Sequence, residues 1–147
     1  MKVAIGTDHR GREIKETIIS RLASEIEFID CSVENHDTDD YPDFAFPCCK
    51  SIIDKKNEVG VLICGTGIGM SMAANKVKGI RAAVCTDHFS VKFTRLHNNA
   101  NVLCLGGRVL GDLFALELLD IFLNTEYEGG RHQNRLDKIA AIEEENA

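Results

Sequence analysis

The sequence lacks the features that mark secreted, membrane-spanning and nucleic-acid-binding proteins. No apolar run approaches the ~18 to 20 residues of a membrane span, and no basic stripe offsets the net charge of −6. Neither nucleic acid nor a membrane surface is therefore expected as a main partner. Residues 1–6 read as a strand and lack the charged and apolar regions of a signal peptide, so we expect a cytoplasmic location.

The six cysteines include no C-x-x-C pair. In a chain without a secretion signal, they are expected to be reduced thiols instead of a disulfide framework. A chain of 147 residues is the length of one domain, and a domain of that size buries roughly 68 to 70% of its unfolded surface. We therefore predict a single domain, 1–147, that does not need disulfide bonds for stability.

Short apolar runs alternate with helical patterns along the whole chain. A helix should begin near Pro42, and Pro47 must kink that helix or delay its start. Alternation of this kind predicts an α/β fold, namely a three-layer, Rossmann-like, five-stranded parallel sheet with helices on both faces and an appended C-terminal helix. The predicted strands are 2–6, 27–31, 59–64, 79–85 and 101–105, and the last helix is about 131–145.

The third predicted strand leads directly into glycines at alternate positions, Gly65, Gly67 and Gly69. Glycine lets the backbone approach a ligand closely, so successive N–H groups could converge on one oxyanion. A dinucleotide-binding loop would also place a ribose ligand near Asp87, but its third glycine is replaced by Met70. A small oxyanion, such as a phosphate or an enediolate, is the favoured ligand.

Several chemically useful side chains follow the predicted strands. Asp8 and His9 follow the first, Cys64 ends the third and Arg108 follows the fifth. Ligands bind beyond the carboxyl ends of parallel strands, so we expect these residues to lie together. A thiol beside a helix N-terminus is expected to ionise readily and could act as a base or nucleophile. Asp8 could shuttle a proton, and His9 could bind an anion.

Each of these residues also has an alternative interpretation. Asp8 could be a helix N-cap, and Cys64 could be an ordinary buried thiol. Cys64, Cys85 and Cys104 all end predicted strands, so a three-thiolate metal site is conceivable, although the close ligand pairs of structural zinc sites are missing.

Two further groups of residues remain open on pattern alone. His97 could simply end a helix, where the dipole favours it. Arg131 and Arg135 could lie on a solvated helix face, or they could hold a phosphate between them.

Six segments of the chain carry a family pattern, and they are GTDH at 6–9, CGTGIG at 64–69, AANK at 73–76, HN at 97–98, GR at 107–108 and YEGGRH at 127–132. Together they resemble the type B ribose 5-phosphate isomerases, in the same order and over essentially the whole chain. The resemblance implies a metal-independent aldose–ketose isomerase without cofactor that interconverts D-ribose 5-phosphate and D-ribulose 5-phosphate through an enediolate, in the non-oxidative pentose phosphate pathway.

The resemblance also implies roles for single residues. Cys64 is the base that moves the proton between C1 and C2, because the glutamate used by another branch of the family is replaced by Met70. His97 opens the furanose ring. Two further roles are hypotheses from the chemistry of the residues: Asp8 could pass a proton between the two oxygens, and Thr66 could hold a substrate hydroxyl. The implied substrate contacts are Asp8, His9, Gly65, Thr66, Gly67, Ile68, Gly69, Asn98 and Arg108, with Arg131 and Arg135 on the phosphate.

Members of this family form homodimers or pairs of dimers, and they build each site from two subunits. Because the implied residues act on one small sugar phosphate, we expect them to lie at one end of the predicted sheet. Two other functions stay open, namely isomerisation of a six-carbon sugar phosphate such as allose or galactose 6-phosphate, and a non-catalytic phosphosugar-binding module.

Overall fold

The computed structural model describes residues 1–34 and 36–147. All strand pairs in its single five-stranded sheet are parallel, and the strand order is β2-β1-β3-β5-β4. The predicted α/β architecture with a parallel sheet is confirmed. The strands are β1 (Lys2–Thr7), β2 (Glu27–Asp30), β3 (Val59–Cys64), β4 (Ala82–Val84) and β5 (Val102–Gly106).

Helices cover both faces of the sheet, because successive strand side chains point to opposite faces and both faces are apolar. The helices are α1 (Arg12–Leu22, after a 3₁₀ turn at His9–Gly11), α2 (Pro42–Ile53), α3 (Ile68–Ala74), α4 (His88–Asn98), α5 (Asp112–Asn124) and the appended α6 (His132–Glu145). Helices α1, α4 and α5 pack on one face, against residues such as Ile5 and Ile63. Helices α2 and α3 pack on the other face, against residues such as Ala4 and Leu62.

Several element boundaries differ from the predicted ones. β4 is shorter than the predicted strand 79–85, and Gly79 adopts a positive φ of 89° that no strand contains. α3 ends at Ala74 because the side chain of Asn75 bonds to both the N–H and the C=O of Ala82. Pro47 lies inside α2, which begins at Pro42, so it does not delay the helix start. In the described part of the chain, no helix has both the length and the apolar character needed to cross a membrane.

Candidate active site

The strand order changes direction between β1 and β3, and such a switch opens a crevice at the carboxyl ends of the strands. Hydrogen bonds join the loops around it, from Asp8 N–H to Ile63 O (3.2 Å), from Gly107 N–H to Cys64 O (2.7 Å) and from Arg108 N–H to Gly65 O (2.9 Å). The structure therefore brings together the residues after β1, β3 and β5, as the sequence pattern predicts.

The glycine loop after β3 curls around the sulfur of Cys64. The N–H of Gly67 donates to Cys64 Sγ at 3.3 Å, and the N–H of Ile68 donates to Thr66 Oγ1 at 3.2 Å. Gly67 has a φ of 81°, and a Cβ there would lie 3.0 Å from the carbonyl carbon of Leu105. Cys64 is only 5% exposed. The loop thus directs a backbone hydrogen-bond donor at the thiol sulfur.

The residues after β1 form a second wall of the crevice. Asp8 caps the 3₁₀ turn, because its Oδ1 accepts the N–H of Arg10 at 2.9 Å. The Nδ1 atom of His9 is buried and has no hydrogen-bond partner among the residues that the structure describes. Asp8 is thus an N-cap, and it is also a crevice carboxylate, so the two interpretations of this residue coexist.

Two side chains in the crevice were not singled out from the sequence. A Cβ on Gly65 would lie 3.0 Å from Cδ of Arg10, and a Cβ on Gly69 would lie 2.6 Å from Cζ of Tyr41. Arg10 could have been found from its position directly after Asp8 and His9. Tyr41 follows an acidic stretch without any pattern that connects it to the glycine loop.

His97 and Asn98 lie near the amino ends of the strands (the amino edge of the sheet), whereas Cys64 lies at their carboxyl ends (the carboxyl edge). α4 starts beside the carboxyl end of β4 and returns the chain over 11 residues, about 16 Å. At its end, the carbonyl oxygen of Asn98 accepts from Nε of Arg81 (3.1 Å), the residue that precedes β4. The expectation that all site residues share one end of the sheet is therefore wrong within a single chain, because a crossover helix carries its last residues back to the amino edge.

The neighbours of His97 come from α6 and the loop before it. Its ring stacks on that of His132, with centroids 4.0 Å apart and planes 15° apart, and its Nε2 lies 3.7 Å from Glu128 Oε2. Burial, with a smaller effect of His97, lowers the pKa of His132. Ligand atoms of these three residues lie within 4.8 Å of one another, but nearly parallel rings do not direct their lone pairs at one metal ion.

Arg131 and Arg135 lie near His97, at the amino edge of the sheet. Arg131 directly precedes α6, and Nη1 of Arg135 donates to its carbonyl oxygen at 3.0 Å. Both side chains are exposed. The two guanidinium groups therefore lie beside the His97 and His132 stack, away from the glycine loop of their own chain.

The structure removes two alternatives. Asp87 caps α4, and its Oδ1 accepts the N–H of Ser90 at 2.7 Å, so it has a structural role in place of a ribose contact. Cys64 and Cys104 lie in the core on one face of the sheet, and Cys85 lies in the core on the other face. The sheet thus separates Cys85 from the other two thiols, so the three do not form the conceivable metal site. Burial raises the pKa of Cys85 to about 11 and also raises that of Cys104.

Comparisons with known proteins agree with this geometry over the full length of the chain. A family model described as Ribose/Galactose Isomerase matches residues 3–139. The chain is 42% identical to ribose-5-phosphate isomerase B of Escherichia coli over 144 residues, which cover 97% of each chain.

Two solved structures show the same fold. Clostridium thermocellum ribose-5-phosphate isomerase B aligns with a TM-score of 0.97 at 43% identity and covers 100% of both chains. The Mycoplasma genitalium ribose-5-phosphate isomerase B with bound ribulose-5-phosphate aligns with a TM-score of 0.92 at 41% identity, over 98% of this chain and 97% of that one.

The crevice at the strand switch and these full-length matches define an α/β protein of the sugar-isomerase class. The chain belongs to the ribose/galactose isomerase family, so the resemblance to the type B ribose 5-phosphate isomerases is confirmed.

Proposed function

We propose that this protein is an aldose–ketose isomerase that interconverts D-ribose 5-phosphate and D-ribulose 5-phosphate. The observation that carries the proposal is the crevice between β1 and β3, where a buried thiol that accepts a loop N–H lies near a buried carboxylate. The full-length similarity to ribose-5-phosphate isomerases B, one of them with ribulose-5-phosphate bound, supports the choice of substrate.

The crevice supplies the groups that this reaction needs. Cys64 removes the proton from the carbon next to the carbonyl, an enediolate forms, and the same thiol returns the proton to the former carbonyl carbon. Asp8 passes a proton between the two oxygens, while Thr66 holds a substrate hydroxyl. N–H groups of the glycine loop, 65–69, stabilise the charge on oxygen, and each donor of this kind contributes about 3 to 4 kcal/mol in enzymes of known mechanism.

The substrate phosphate needs cations and hydrogen-bond donors, and the chain offers several. Arg108 and His9 lie at the carboxyl ends of the strands, and the Nδ1 atom of His9 has no hydrogen-bond partner in the described part of the chain. Arg131 and Arg135 lie at the amino edge with His97, which opens the furanose ring, and Asn98, which contacts the substrate. In a single chain, the residues at the amino edge therefore do not reach the crevice at the carboxyl edge.

We therefore propose a homodimer or a dimer of dimers in which each crevice receives the partner subunit's His97, Asn98, Arg131 and Arg135. The surface near the carboxyl edge supports this assembly, because monomeric proteins seldom expose large apolar side chains in close groups. Its exposed apolar residues come from the start of α3, the end of β4, the start of α4 and the segment before and into α5, and they are Ile68, Met72, Val84, Phe89, Val109 and Leu113.

The remaining parts of the proposal concern the setting of the enzyme. All six cysteines are free, which fits a reducing compartment, and we propose the cytoplasm. We propose that the domain 1–147 works without metal or cofactor, because a thiol base and N–H donors supply the chemistry of proton transfer.

The test is conversion of ribose 5-phosphate by the unmodified chain and by Cys64→Ala, each with and without a chelator. We expect chelator-resistant turnover that falls at least about 100-fold in the variant, while circular dichroism shows an unchanged fold. Cys31→Ala is the matched control, because this half-buried thiol follows β2 outside the glycine loop. Full activity of Cys64→Ala would contradict its role as the base, and loss of activity to the chelator would contradict a metal-free reaction.

Six-carbon sugar phosphates are the second candidate substrates, because the matching family model is described for both ribose and galactose isomerases. Relative kcat/KM values for ribose 5-phosphate, allose 6-phosphate and galactose 6-phosphate decide between five-carbon and six-carbon substrates. Thermal stabilisation by a sugar phosphate without any turnover would instead favour a non-catalytic binding module.

A further inference from the structure

Arg10 contacts the catalytic crevice without a role in the chemistry described above. It lies in the 3₁₀ turn after β1, and its side chain is 38% exposed. Its backbone N–H donates to Oδ1 of Asp8 at 2.9 Å, and its Nη1 donates to Oδ2 at 3.4 Å. One residue therefore engages both oxygens of a carboxylate that is only 1% exposed.

The stem of Arg10 lies where the loops after β1, β3 and β5 meet. A Cβ on Gly65 would lie 3.0 Å from Cδ of Arg10 and 3.6 Å from Cδ of Arg108. A Cβ on Gly107 would lie 2.1 Å from the carbonyl oxygen of Arg10. Glycines at these positions leave the room that Arg10 occupies, so close packing at its base restricts where its guanidinium can reach.

The position of this guanidinium matters for the reaction. A buried carboxylate is costly unless a cation or hydrogen-bond donors engage it, and a carboxylate that relays a proton must stay within hydrogen-bond reach of both oxygens. A carboxylate has about four lone-pair positions, so the two donors from Arg10 leave others for substrate oxygens. Arg10 can thus hold the Asp8 carboxylate in one orientation and still leave lone pairs on it for the substrate.

We propose that Arg10 is a positioning residue, whose backbone N–H and guanidinium hold the Asp8 carboxylate directed at the two substrate oxygens between which the proton moves. This inference rests on the proposed isomerase function. Because Arg10 acts through Asp8, its loss should slow turnover and leave substrate affinity nearly unchanged.

Two substitutions separate the charge of Arg10 from its packing. Arg10→Met keeps the apolar stem and removes the guanidinium, and Arg10→Lys keeps the charge. We expect kcat to fall about tenfold in Arg10→Met with KM changed less than about threefold, and Arg10→Lys to recover part of the loss. Arg12→Met is the matched control, since Nη1 of Arg12 pairs with the exposed Asp37 outside the crevice (2.8 Å), and its kcat should stay within about twofold.

A double-mutant cycle tests whether Arg10 acts through Asp8. In an Asp8→Asn background, Arg10→Met should lower kcat no further, because the carboxylate that it positions is gone. An equal loss in both backgrounds, or a raised KM at unchanged kcat, would show that Arg10 contacts substrate directly and would overturn the inference. An active protein that tolerates Arg10→Met fully would also overturn it. An unmodified chain without turnover of any sugar phosphate would instead contradict the proposed function, and the inference with it.

Discussion

The two groups of candidate catalytic residues are held by the fold in different ways. Cys64 and Asp8 lie at strand ends, and backbone hydrogen bonds of 2.7 to 3.2 Å connect their loops to one another. His97 lies at a helix end, where a stacked ring and one backbone bond, from Glu128 N–H to Leu96 O (3.0 Å), fix its surroundings. The sheet therefore orders the residues proposed for proton transfer, Cys64 and Asp8, which form the strand-end half of the site. The packing of α6 on α4 orders His97, proposed for ring opening, which belongs to the helix-end half.

This difference shows which half depends on other parts of the molecule. The strand-end half is buried and complete once the sheet has formed. The helix-end half requires α6 to stay docked, through the buried Leu136, a bond from Gly79 N–H to Glu143 (3.1 Å) and the ion pair of Lys78 with Glu144. In the proposed dimer, the partner subunit carries this half to the crevice.

Subunit complementation gives the largest expected effect. Cys64→Ala and His97→Asn should each lose at least about 100-fold in activity on ribose 5-phosphate. A heterodimer of the two, co-expressed with different tags and purified on both, contains one crevice with all native residues. We expect about half of the wild-type specific activity, because a two-fold symmetric dimer has two such crevices.

The control for this experiment is a heterodimer of two Cys64→Ala chains with the same two tags, which should stay inactive. If Cys64 and His97 of one chain acted together, the mixed heterodimer would contain no intact site. Its inactivity would therefore contradict the shared crevice, provided that each single variant still dimerises in size-exclusion chromatography.

Thiol alkylation gives an intermediate effect and tests the strand-end half. Burial raises the pKa of Cys49 to about 12 and that of Cys85 to about 11, so at pH 7.5 fewer than about one such thiol in a thousand is ionised and reactive. A hydrogen bond with Cys48 lowers the pKa of the half-buried Cys31, which therefore competes with Cys64 for reagent. We expect iodoacetamide to inactivate Cys31→Ser as it does the wild type, with substrate slowing the loss.

Peptide mass spectrometry identifies the labelled thiol in the same samples. Inactivation should follow labelling of Cys64, while Cys31 reacts without effect on turnover. Protection of activity by the Cys31→Ser substitution would place the sensitive thiol outside the glycine loop and would contradict the assignment of the base.

The smallest effect concerns α4, which connects the two edges of the sheet. Asp87 caps this helix, and hydrogen bonds from Ser90 lower its pKa. A carboxyl whose folded-state pKa is lowered stabilises the fold above its unfolded pKa of about 4, and this contribution is lost as the pH falls through the folded-state value. Asp87→Ala should lower Tm by a few degrees at pH 7, and the difference should shrink toward pH 2. A difference that is constant with pH would contradict the capping interaction, and turnover should change less than about twofold.

The sheet and the strand-end half could be predicted because they follow from local patterns. Apolar runs give strands, and glycines after one strand with Asp8 after another give two walls of one crevice. The start of β4 could not be predicted, because it depends on the side chains of Asn75 and Asn101, which bind the backbone of Ala82 and Arg81. The location of His97 was also missed, because its edge of the sheet depends on the direction of a crossover helix.

For Arg10, the sequence shows only that it directly follows Asp8 and His9, and the fixed position of its side chain could not be predicted. That position comes from close approaches to Gly65 and Gly107, which are far from it in sequence and adjacent only after β1, β3 and β5 have paired. A pattern of residue types along the chain carries no information on such approaches.

The position of β5 between β3 and β4 has a consequence for how the molecule is made on the ribosome. β4 pairs only with β5 in the sheet, and β5 is the last strand to be synthesised. The first half of the chain can pair β1, β2 and β3 during synthesis, while β4 must wait for residues 102–106 to leave the exit tunnel. Gly107 and Arg108, whose N–H groups hold the Cys64 loop, directly follow β5. This loop therefore acquires its final geometry only when translation is well advanced.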